Sequence, residues 1–323
     1  MLGLCVGSRD IPLEEALPRL IPAISYAFSL GSPQSHNIDE FTAIIANLRI
    51  PRTLLALLAG AALGTAGALI QGHTRNSLAD PGLLGINAGA ALGVVGGVYF
   101  GVTGAADAGV IPALLGAGAA TLVVFGLSST GTSTVSPLTL VLAGTAVTAL
   151  LMAFVNALVI TDSAALDSLR TWATGSVSGR SLSVATAVTP TFLLGLALAA
   201  TQGQALNLLS MGESTAQALG LNVSLRRAVG FIAIALLGGA AVSAAGPVAF
   251  VGLAAPHAAR ALWGTDYRVI LPASFLMGAL FAVCADIFGR VAAPGELPMG
   301  IVLGIVGAPV FILLVKRGKV LAP

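Results

Sequence analysis

From Thr53 to Thr74 the chain carries no acidic or basic side chain other than His73, and Gly and Ala recur throughout this run of about 22 residues. At 1.5 Å per residue such a run crosses the roughly 30 Å hydrocarbon layer of a bilayer as a helix. Its small residues are those that let helix backbones approach closely in a membrane bundle. Two arginines, Arg49 and Arg52, precede it, and the polar turn from Arg75 to Gly82, which contains Asp80-Pro81, ends it. Another apolar run starts at once. The unit of charged rim, apolar span and polar turn then recurs to the end of the chain. Hydropathy predicts nine full spans, near 53–74, 83–102, 108–127, 138–160, 182–201, 228–246, 248–263, 269–289 and 298–315. The segment Arg9 to Glu40 is mostly extramembranous; within it Ala16 to Leu30 is apolar but holds Arg19, Pro18 and Pro22, and is expected to lie along a surface. The expectation is an all-α, polytopic transmembrane bundle in which residues 1–323 form a single transmembrane domain.

Composition changes this picture only by excluding alternatives. The chain is 56% hydrophobic and 9% charged, against roughly 25% charged residues in soluble domains. Low aromatic content and 40 glycines favour packed helices over a membrane barrel. The net charge of +2 gives no reason to expect nucleic acid. Orientation follows from the Lys/Arg distribution. Placing Lys316, Arg317 and Lys319 inside puts eight cations and three acids on the inner rim, and seven cations and ten acids on the outer rim.

Several chemistries are excluded. No G-x-x-x-x-G-K-[ST] motif is present, so the chain has no phosphate-cradling loop of its own. His36, His73 and His257 are dispersed and no H-E-x-x-H occurs, so no metal site is expected. The spans hold almost no ionisable groups of the kind ion-driven carriers place near the midplane, so energy, if used, is expected from elsewhere.

Five stretches then occur in order: RIPRTLLALLAGAALGTAGALIQ, TRNSLADPGLLG, MGESTAQALGL, GPVAFVGLAAPHAARALWGTDYRVILP and ELPMGIVLGIVGAPVFILLVKR. In these the chain resembles the membrane permease subunits of iron-siderophore, haem and cobalamin ABC importers, over about Gly3 to Arg317. The resemblance implies a ten-span fold, of which MLGLCVG matches only the end of the first span; the rest of that span is expected upstream. It implies a bacterial cytoplasmic-membrane location and partners: a second permease (an identical copy or a sister chain), two ATPase subunits carrying ATP and Mg, and an extracytoplasmic substrate-binding protein. The chain itself would hold no cofactor and perform no covalent chemistry. A secondary carrier working without ATPases is the alternative, and a non-transporting scaffold a third.

The same resemblance assigns residues. Arg49, Arg52 and Arg290 match arginines that receive carboxylates of the docking protein, although helix-end snorkelling and an Asp286–Arg290 pair fit these residues too. Gly212, Glu213, Ser214, Ala216, Leu219 and Gly220 match a short coupling helix that engages the ATPase. Asn76 and Leu78, with Ser136, Pro137 and Leu138, match a cytoplasmic gate, or are plain turn residues. Ser77 stands where the family usually has Pro, which puts the geometry of that turn in question. Trp172 and Arg170, on the outer side, could line a substrate cavity or anchor the interface.

Overall fold

The structure is a computed structural model that describes residues 2–5, 7, 12–28, 39–103, 109–129, 137–293 and 295–316. Every regular element among them is helical. In chain order these are α1 (Leu2–Cys5), α2 (Leu13–Phe28), α3 (Glu40–Ile44), α4 (Ile50–Thr74), α5 (Ile86–Tyr99), α6 (Val110–Ser129), α7 (Pro137–Thr161), α8 (Ser163–Ala173), α9 (Leu182–Ala200), α10 (Gly203–Ser210), α11 (Glu213–Ala218), α12 (Val223–Ala245), α13 (Val251–Trp263), α14 (Tyr267–Ala292) and α15 (Met299–Lys316). Six helical segments among the described residues are long and apolar enough to cross a membrane, and the shorter apolar stretches Ile86–Tyr99 and Met299–Val310 accompany them. The protein is a multi-pass membrane protein.

The central helix is α4, and it begins earlier than hydropathy predicts. Pro51 has no N–H to donate to the turn before it. The chain accommodates this with a π-turn over Ile45–Arg49, in which the Ile50 N–H reaches back to the Ile45 carbonyl, so helix runs without a break from Glu40 to Thr74. Almost all of α4 beyond Leu58 is buried, against α14, α12 and α13. Glycine permits the contact: a Cβ on Gly60, Gly64 or Gly67 would overlap the backbone carbonyl of Gly278, Ser274 or Gly252 respectively. One connected apolar cluster extends from Leu55 to Val302.

Two predicted span starts are delayed by about three residues. The stretch from 83 begins as a 3-10 turn, Pro81–Leu84, capped by the Asp80 carboxylate accepting from the Gly82 N–H at 2.8 Å, and α5 starts only at Ile86. The stretch from 248 is not helical until Val251, because Gly246 (φ 75°) and Phe250 (φ 68°) take left-handed conformations. That leaves α13 with 13 residues, shorter than a straight crossing needs. The segment expected to lie along a surface is α2, whose Ala16 and Ala23 pack on Ile45 and Ala46 while Leu17, Ile21 and Phe28 stay exposed.

Candidate functional site

The fold forms two charged clusters at opposite ends of the bundle, the ends that the charge distribution assigns to the outer and inner rims. At the outer end, Arg52 lies in the first turn of α4, Arg49 in the π-turn before it, and Asp286 and Arg290 in the last two turns of α14. Arg52 bridges two carboxylates: its Nε donates to Asp286 Oδ1 at 2.8 Å and its Nη1 to Glu296 Oε2 at 2.6 Å. Arg290 donates to Asp286 Oδ2 through both Nε and Nη2, the pair four residues apart on one helix. Arg290 also donates to the Gly3 carbonyl at 2.6 Å, and Arg49 to the Leu4 carbonyl. These carbonyls close α1, where a helix leaves acceptors without internal partners. The structure therefore brings Arg49, Arg52 and Arg290 together, with Arg49 and Arg290 buried and their forks engaged by this chain's own acceptors.

These arginines line a cleft of about 220 Å³ with Ser178, Arg180 and Glu296. Arg180 and Glu296 were not picked out from sequence as part of this site; both are outer-side residues, and the missing information was that their loops converge. Arg180 lies between α8 and α9 and donates only to backbone carbonyls, from Nε to Ser176 at 3.2 Å and from Nη1 to Ser243 at 3.0 Å. Burial without a carboxylate pushes its pKa down to about 10, which leaves it cationic at neutral pH. Glu296 has a left-handed backbone (φ 52°), an uncommon conformation for a residue with a Cβ. Of the other outer residues, Trp172 is buried, and Arg170 is exposed in a pair with Asp167.

At the inner end, α11 is one and a half turns long. It opens after Gly212 (φ 109°) and is closed by Gly220 (φ 83°), whose N–H donates to Gln217 while Leu221 donates to Ala216. Only Ala216 of this helix is buried; Ser214, Leu219 and Gly220 are exposed. Glu213 does not point away with them. It accepts from Arg227, buried in the second turn of α12, and from Arg75 at 3.4 Å, the left-handed cap of α4. Sequence reading had no signal for this clamp beyond three charges on one rim.

The turn after α4 is built by its own side chains. Asn76 Oδ1 accepts from the Leu78 N–H at 2.9 Å and Leu78 is exposed. Ser136 lies outside the described residues, and of Pro137 and Leu138 only the backbone, in the first turn of α7, is described. Further along, α7 packs on the Pro81–Leu84 turn, where Gly144 admits the Leu83 carbonyl. Among the described residues no group of three His, Cys, Asp or Glu side chains could hold a metal ion.

A model of the FecCD transport family matches residues 1–317. The chain belongs to that family. Its members are the transport permeases of ABC importers and not themselves enzymes. This FecCD permease is 42% identical over 316 residues to the ferric enterobactin transport system permease protein FepD of Escherichia coli (strain K12), covering 98% of this chain and 91% of the relative. It is 37% identical over 319 residues to the Fe(3+)-citrate import system permease protein YfmD of Bacillus subtilis (strain 168), with the same coverage of 98% and 91%. To the hemin transport system permease protein HmuU of Yersinia pestis it is 37% identical over 307 residues, 92% of this chain and 90% of the relative. Among solved structures it resembles a metal-chelate type ABC transporter in an inward-facing conformation, with a TM-score of 0.78 at 29% identity, covering 93% of this chain and 97% of that one.

Proposed function

We propose that this permease moves an iron chelate, of the siderophore type, across the bacterial cytoplasmic membrane. A substrate-binding protein delivers the chelate outside. Two ATPase subunits, which carry ATP and Mg, drive the cycle inside, and a second permease completes the pathway. The chain holds no cofactor of its own.

The observation that carries this reading is the stance of α11. A helix of six residues stands off the inner end, buries one alanine, and leaves Met211 and Leu219 exposed beside it. Exposed apolar side chains flanking a short rigid element suit insertion into a partner's groove. Glu213 ties the start of that element to α4 and α12, the two most buried spans, so a push on α11 reaches the centre of the bundle as a rigid-body displacement. On the outer rim, Arg49, Arg52 and Arg290 are the docking residues for carboxylates of the binding protein, with planar forks suited to bidentate pairing. Asn76 and Leu78, with Ser136 to Leu138, form the inner gate. A secondary carrier is disfavoured because, among the described residues, the carboxylates of the candidate spans lie at their ends: Glu40 opens the first, and Asp286, near the end of α14, is already paired with two arginines.

The test is affinity purification from the native membrane in mild detergent, with co-purifying chains identified by mass spectrometry. An ATPase subunit in a one-to-one ratio is expected. A permease free of ATPase, under conditions where a known importer complex survives, would overturn the reading in favour of a carrier.

A further inference from the structure

Arg180 separates two cavities. One is the arginine cleft. The other, of about 320 Å³, lies behind α8 and is walled by Ser168, Thr171 and Trp172 of that helix, by Ser176 beyond it and by Val94 of α5. Among the described residues, Arg180 is the one ionisable side chain on this second wall. Its situation differs from that of Arg52 and Arg290, which share Asp286. Among the described residues no carboxylate pairs with Arg180, and its Nη2 makes no hydrogen bond. Trp172 also lines this wall through its ring and is 6% exposed. A guanidinium can only donate. The remaining polar lining consists of hydroxyls, which can do either. The wall is therefore rich in donors, carries one uncompensated positive charge and has no acid to neutralise it. A partly buried cation in that state favours an anion with several acceptor oxygens.

We propose that the cavity behind α8 is a binding subsite for the anionic oxygen atoms of a metal chelate, with Arg180 as its charged anchor. The identity of the ligand as a chelate rests on the importer reading; the anion preference rests on the wall itself.

The chain has two tryptophans, and Trp263 ends α13 at the opposite side of the bundle. Trp263→Phe thus isolates Trp172 as a fluorophore inside the cavity. The experiment is quenching of this variant in detergent, without ATPase or binding protein, by ferric citrate and by a neutral ferric trihydroxamate. Free tryptophan serves as the inner-filter blank. Saturable quenching by ferric citrate is expected, with iron-free citrate competing and the neutral chelate binding at least tenfold more weakly. Arg180→Gln should weaken ferric citrate at least tenfold, and Arg180→Lys should recover part of the loss. Arg180 also ties its loop to the Ser243 carbonyl, so a second variant guards against misfolding. Ser168→Phe fills the cavity and leaves every Arg180 hydrogen bond in place, and it should abolish saturable quenching. No saturable quenching, equal affinity for the two chelates, or unchanged binding in Ser168→Phe would each overturn the subsite. Because the titration needs no ATPase, its failure alongside a co-purifying ATPase would remove the subsite and leave the importer reading standing.

Discussion

Removing the Glu213 carboxylate separates two interactions that share it. Arg227 is 5% exposed. Stranding a fully buried cation by deleting its partner costs about 3–5 kcal/mol. The Glu213 side chain keeps 17% of its exposure, so water reaches the pair, and a working figure nearer about 2–3 kcal/mol is appropriate. The Arg75 side chain is 44% exposed, and ion pairs of that kind contribute about 0–1 kcal/mol. Glu213→Ala is therefore expected to cost several times more than Arg75→Ala. Replacing both members of the inner pair, Glu213→Ala with Arg227→Met, should recover most of the loss, because no charge is then left buried. The assay is the apparent melting temperature of the solubilised permease, read by loss of the monodisperse peak on size exclusion. At roughly 2–4 °C per kcal/mol, Glu213→Ala should fall by roughly 5–10 °C and Arg75→Ala by less than about 4 °C. If Arg75→Ala matched Glu213→Ala, or if the double substitution were additive, charge burial would not be what holds α11 to the bundle.

The close contact of α4 with its neighbours gives a second expectation: Gly67→Ala, whose Cβ would overlap the Gly252 carbonyl, should destabilise by about 1–3 kcal/mol or more. Gly96→Ala on α5, with nothing within 4 Å of the added carbon, should be neutral or slightly stabilising, and equal melting temperatures would refute the packing argument. At the outer rim, Glu296→Gln frees one arm of the Arg52 fork and should tighten capture of the cognate binding protein severalfold at low salt. Arg52→Glu should weaken it by more than tenfold, on the scale of about 2–5 kcal/mol for a buried charge pair. Affinities unchanged in both variants, measured by surface plasmon resonance, would sink the docking role.

Much of the bundle was legible because a span is a property of composition over some 20 residues, and Thr53 to Thr74 could hardly be read otherwise. The errors fall where backbone geometry and not side-chain polarity sets the boundary. Val248 to Phe250 is apolar, yet Gly246 and Phe250 adopt left-handed angles there and delay α13 to Val251. Leu83 and Leu84 read as the start of a span, yet the Asp80 cap and Pro81 draw them into a 3-10 turn. Hydropathy starts the first span near Thr53, yet the π-turn over Ile45–Arg49, which accommodates the missing N–H of Pro51, makes the helix continuous from Glu40.

The charged sites divide by sequence separation. Asp286 and Arg290 lie four apart on a helix, and their pairing could be anticipated from that spacing. Arg52 and Asp286 lie 234 residues apart and carry no local mark of their contact. That contact changes what docking must involve. A partner carboxylate approaching Arg52 meets a fork already holding two acids, so it has to displace one of them. Asp286 is held from two sides and is almost fully buried, whereas the Glu296 side chain is 28% exposed, pairs with Arg52 and sits on a left-handed backbone. Glu296 is the acid that can leave at least cost. On this geometry the outer cluster is a closed pair of salt bridges with one replaceable arm, and in the proposed docking role a partner carboxylate would take the place of that arm.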